Sequence, residues 1–115
     1  MVEYSLEIVK RNGNTFRDGY KTLVNARKSA VQYIKKFGIN TTFVNIIKVS
    51  KGSWERPIVE RIDWIDRQHD HTDFDGWICS QYKKKGNSSL STKRIYRLSI
   101  KTGKLLDYNS TWRYL

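Results

Sequence analysis

Apolar side chains two positions apart at Tyr4, Leu6 and Ile8 read as a strand with one buried face, and the Asn12-Gly13 dipeptide that follows suits a tight hairpin turn. A β-hairpin is therefore predicted over residues 4–21. The period then changes. Leu23, Ala26, Ala30, Tyr33, Ile34 and Phe37 recur at helical spacing. Thr22 stands where an N-cap hydroxyl accepts a backbone N–H, and Gly38 suits the residue just past a helix end. Together these predict an amphipathic helix over about 22–37, with Arg27, Lys28, Gln32, Lys35 and Lys36 on its solvent side.

Residues 41–50 (TTFVNIIKVS) and 57–65 (PIVERIDWI) are rich in β-branched side chains and predict two antiparallel strands joined around Lys51-Gly52-Ser53. Pro57 fits the start of the second, where a ladder N–H is not yet needed. Three more strands are expected in 76–84 (GWICSQYKK), 93–101 (KRIYRLSIK) and 104–112 (KLLDYNSTW), with Thr102-Gly103 turning the last two. In the second of these Tyr96, Leu98 and Ile100 are expected to point inward together. The fold class that follows is α+β: an antiparallel sheet of about five to seven strands with one main amphipathic helix packed on one face.

A chain of 115 residues supports one core, and residues 1–115 are expected to form a single domain. Leu, Ile, Val and Phe supply about a quarter of the residues, above the ~20% below which disorder is expected. With Cys79 as the one cysteine no internal disulfide can form, and the start MVEYSLEIVKRNG lacks the apolar segment of a signal peptide. A cytoplasmic location is the expectation. No apolar run approaches the ~20 residues that cross a bilayer, so no membrane span is expected.

Charge changes the picture more than composition does. The net charge is +11, yet residues 55–75 hold seven acidic side chains against three arginines. The rest of the chain is correspondingly more basic, and a field of that sign attracts polyanions. Nucleic acid or an acidic protein surface is the partner this implies.

Both histidines fall in one stretch, RQHDHTDFDG, residues 67–76. As a calcium loop it fails at both ends, because Asp73, Asp75 and Gly76 at the third, fifth and sixth positions place His71 first and Tyr82 twelfth, where an aspartate and a bidentate glutamate belong. His69, His71 and Asp73 resemble the His-x-His-x-Asp core of metallo-β-lactamase-type hydrolases over five residues, but Phe74 stands where the next histidine is expected and the chain holds no further one. No metal, cofactor or catalytic residue is assigned on these grounds. Short polar residues ending in glycine make Asx-turn and Ser/Thr-turn bonds, so the stretch is read as a loop between strands. Cys79, alternating with Trp77 and Gln81, reads as a small core residue rather than a nucleophile.

The C-terminal half interleaves cations with flat rings. Lys83, Lys84, Lys85, Lys93, Arg94, Arg97 and Arg113, with Tyr82 beside them, are the candidate contacts for phosphates and stacked bases. Tyr82, Trp112 and Tyr114 are the rings expected at the surface. The expected function is a small basic nucleic-acid binding protein without enzymatic activity. One alternative is a phage or mobile-element protein that binds and inhibits a host or defence complex, with the acidic stretch 55–75 as a contact. A second is a small nuclease or toxin using His69, His71 and the neighbouring aspartates as general acid and base.

Overall fold

The computed structural model describes residues 2–65, 76–84 and 91–106, with residues 83, 84 and 91–93 described by their backbone alone. Its strands are β1 (Val2–Lys10), β2 (Gly13–Tyr20), β3 (Phe43–Ser50), β4 (Ile58–Ile65), β5 (Gly76–Lys84), β6 (Ser91–Leu98) and β7 (Leu105–Leu106). They form one sheet in the order β2-β1-β3-β4-β5-β6-β7, every neighbouring pair antiparallel. The helix α1 (Leu23–Phe37) lies across β1, β3 and β4 on one face. The α+β architecture is as predicted, and 15 of the described residues form its helix.

Only one connection skips a neighbour. β2 and β3 are both antiparallel to β1, hence parallel to one another, and parallel strands need a crossover of helix length rather than a tight turn. α1 supplies it. Thr22 caps the helix start, its Oγ1 accepting from the Asn25 N–H at 3.2 Å, and Gly38 ends it with φ +132° and its N–H on the Ile34 carbonyl. Lys35 and Lys36 in the last turn complement the negative end of the helix dipole.

The core lies between α1 and the sheet. Leu6 and Ile8 of β1, Val44 and Ile46 of β3, Ile62 of β4, Trp77 and Cys79 of β5 and Leu98 of β6 close on Ala26, Ala30, Val31 and Ile34 of the helix. Register makes this one continuous surface, since Leu6 pairs with Ile46, Val44 with Ile62, and Ile62 with Cys79. Residues directly opposite in a ladder share a face. On the other face Ile65, Ile78 and Ile95 form a smaller buried cluster.

Two side chains differ in burial from the pattern-based expectation. Ile100 lies in the β6–β7 turn and is exposed, because β6 ends at Leu98 before the alternation reaches it. Arg27 is buried at 7% exposure, where the helical pattern placed it in solvent. Among the described residues no helix is long and apolar enough to cross a membrane.

Candidate polyanion interface

The sheet separates charge by strand alternation. Outside the β3–β4 loop the described carboxylates are Glu3, Glu7, Asp18, Glu60 and Asp63. Glu3, Glu7 and Asp63 alternate with the core positions and so belong to the face away from the helix, with Asp63 opposite Ile78. Asp18 joins them, accepting from Ser5 Oγ at 2.7 Å. Glu7 is tied into a polar row on that face. It accepts from Asn14 Nδ2 at 3.0 Å and Asn45 Nδ2 at 2.9 Å, and Asn45 Oδ1 in turn accepts from Arg61 Nε at 2.9 Å. Arg61 lies 4.4 Å from the Phe43 ring centroid, so this cation is held by its own neighbours.

Glu60 alone of these carboxylates faces the helix, and it is fully engaged. Its two oxygens accept from Arg27 Nε at 2.8 Å and Arg27 Nη2 at 2.7 Å, while Gln81 Nε2 donates at 2.8 Å and Cys79 Sγ at 3.2 Å. Arg27 Nη1 donates to the Gly103 carbonyl at 3.0 Å. Burial alone would lower the pKa of Arg27, but the hydrogen bonds and charge of Glu60 outweigh it and raise it above the ordinary value. Burial, then the Glu60 charge, push the Cys79 thiol far up, so it stays protonated and unreactive. This cluster joins helix, β4, β5 and the β6–β7 turn. The turn thus returns to the helix start, where Gly103 (φ +71°) lies so close that an added Cβ would sit 2.8 Å from the Val24 carbonyl.

With Glu60 neutralised, the other described charged side chains on the helix side, outside the β3–β4 loop, are cationic. Lys28, Lys35 and Lys36 are exposed on α1. Lys10 and Lys48 fall on the core-facing phase of β1 and β3, Arg17 pairs with Leu6, and exposed Arg94 pairs with Gln81. The β6–β7 turn adds exposed Lys101 and Lys104 next to the start of α1. Side-chain contacts confirm the placement of two of them. Lys10 Nζ stands 5.0 Å from the Phe37 ring centroid, and Arg17 Nε donates to Tyr33 Oη at 3.2 Å. Tyr33 and Phe37 stack nearly parallel at 6.2 Å, with Lys36 Nζ 5.4 Å from the Phe37 ring. Rings and cations are thus interleaved at the end of the helix.

The residues expected from sequence to contact nucleic acid divide between faces. Arg94 and Arg97 are both exposed on β6, but Arg94 opposes Gln81 on the helix side and Arg97 opposes Ile78 on the other. Tyr82 is half-buried and opposes Lys93, on the same side as Arg97. The backbones of Lys83, Lys84 and Lys93 lie in β5 and β6, whereas Lys85 and Arg113 fall outside the described residues. So do His69, His71 and their aspartates, and Trp112 and Tyr114. The acidic stretch is not one surface where it is described, since Glu60 is core and Asp63 lies on the opposite face. Sequence reasoning missed Lys10, Arg17 and Lys48, whose membership of the helix side follows only once the strand phase is read beyond its apolar positions. It also missed Trp54, 90% exposed in the β3–β4 loop.

No protein-family model, curated protein or solved structure matches this chain.

Proposed function

We propose that this chain binds nucleic acid without enzymatic activity, holding the phosphate backbone on its helix-bearing face. The observation that carries the reading is the separation of charge. Outside the β3–β4 loop, the one described carboxylate on the helix side of the sheet is neutralised by Arg27, while Lys10, Arg17, Lys28, Lys35, Lys36, Lys48 and Arg94 remain there. A one-sign surface draws in a polyanion and releases its counterions. Lys28 and Lys35 lie seven residues apart, a rise of about 10 Å along one side of α1, so their charges run along a line rather than gather at a point. Arg94 extends this surface onto β6, while Arg97 and Tyr82 lie on the opposite face and are not part of it.

Fluorescence anisotropy of a labelled oligonucleotide, repeated across a salt series, tests it. If about five phosphates are neutralised, log K falls against log salt with a slope of roughly −4.5 on B-DNA and −3.5 on a single strand. Absence of saturable binding at low salt, or an affinity that salt leaves unchanged, contradicts the reading.

A further inference from the structure

The β3–β4 loop, residues 51–57, holds a large ring out in water on a pinned backbone. Trp54 is 90% exposed. Around it the Ser53 N–H donates to the Ser50 carbonyl at 3.1 Å, the Glu55 N–H to Ser53 Oγ at 3.2 Å, and the Lys48 N–H to the Pro57 carbonyl at 3.0 Å. Gly52 takes φ +82°, which a glycine adopts freely. The indole is therefore presented by an ordered turn, with both of its faces open. Lys51 and Arg56 flank it within the loop, both exposed, against Glu55 as the loop's one carboxylate.

An indole that anchors a protein interface draws its affinity from a packed apolar surround that excludes water. On this chain Trp54 has no apolar surround of its own, so a protein partner would have to supply all of it. A nucleobase needs less, because stacking uses only the ring faces, and nearby cations take the adjoining phosphates. Bases in a duplex are already stacked on one another, so a protruding ring gains a partner chiefly from unpaired bases. Resting on the nucleic-acid reading above, we propose that Trp54 stacks on an unpaired base, with Lys51 and Arg56 on the flanking phosphates, so that the chain prefers single-stranded nucleic acid to duplex.

The test compares wild type, Trp54→Ala and Trp54→Phe by anisotropy on a single strand of about 12 nucleotides, within the site sizes of stacking-based binders, and on a duplex of the same length. Wild type binds the strand more tightly than the duplex. Trp54→Ala weakens strand binding about 5- to 150-fold, the loss of one stacked base, and leaves duplex binding unchanged. Trp54→Phe, which keeps a ring, retains most of the strand affinity. Circular dichroism melts of the variants match wild type, since the side chain is not part of the core. Unchanged strand affinity in Trp54→Ala, or a wild type that binds duplex as tightly as strand, overturns the stacking role while leaving phosphate binding in place. A wild type that binds neither probe overturns the nucleic-acid reading itself, and the stacking role with it.

Discussion

Replacing Arg27 by methionine isolates the buried ion pair from the packing around it. Methionine keeps most of the aliphatic length, so the main loss is the guanidinium, its two bonds to Glu60 and its bond to the Gly103 carbonyl. Glu60, at 1% exposure, then keeps only Gln81 and the weak Cys79 thiol as donors. Removing one partner of a buried pair costs about 3–5 kcal/mol, because the other charge is left uncompensated. Domains of this kind have roughly 5–15 kcal/mol in total, so the loss is a large fraction of stability. At a urea m-value of about 2 kcal/mol/M it moves the unfolding midpoint down by about 2 M. The same argument separates the pair from its parts. An Arg27→Met, Glu60→Leu double variant removes both charges and regains much of the loss, leaving the Gly103 carbonyl and the Gln81 amide short of a partner. Urea unfolding followed by circular dichroism measures all three proteins. A loss below about 1 kcal/mol in Arg27→Met, or a double variant no better than the single one, refutes the claim that Arg27 compensates the buried Glu60 carboxylate.

Gly103→Ala puts a Cβ 2.8 Å from the Val24 carbonyl at a positive φ, and a thermal melt should show a loss of about 2 kcal/mol or more; an unchanged melting temperature argues against close contact between the β6–β7 turn and the helix. Thr22→Ala removes the helix cap and costs about 1 kcal/mol, whereas Thr22→Ser keeps it, and equal losses in the two contradict a capping role. The pKa of Cys79 is raised in the fold, so above pH about 8.5 the unfolded thiol ionises while the folded one does not, and stability falls with rising pH. The fall reaches at most about 1.4 kcal/mol per pH unit and is missing in Cys79→Ala, so parallel pH–stability curves for the two proteins exclude it. In the native protein the thiol resists a disulfide reagent at pH 8 and reacts once urea unfolds the chain.

Local signals carried most of the fold. The alternation of Tyr4, Leu6 and Ile8, the Asn12-Gly13 turn and the Thr22 and Gly38 caps each report a preference that tertiary packing then obeys. Arg27 shows where such reading stops. It sits within the buried arc formed by Ala26, Ala30, Val31 and Ile34, but a lone arginine there is assigned to solvent unless its partner is known. That partner was also in view. Glu60 alternates with Ile62 and Trp64 on the core phase of β4, and an acid in such a position calls for a buried cation. The two lie 33 residues apart, and only the helix crossover brings them together.

The candidate interface was harder to read for a related reason. Arg94 and Arg97 look like one patch along the chain, but strand side chains an odd number of positions apart point to opposite faces. Patches on a sheet are assembled across strands, as Arg17 beside Leu6 and Lys48 beside Tyr4 show, and their membership depends on register. Trp54 lay in plain sight between Ser53 and Glu55, inside a segment with turn residues and no periodicity, which is where an apolar ring has no core to enter.

The most direct test of the account reverses charge on the helix face alone. Lys28, Lys35 and Lys36 are exposed and lie outside the core, so their joint replacement by glutamate leaves the fold intact by circular dichroism. If all three contact phosphates, oligonucleotide affinity at low salt drops steeply and the slope of log K against log salt flattens by roughly 2 on a single strand or 2.7 on B-DNA. An affinity and a slope equal to those of the unaltered protein would show that this face does not hold the polyanion.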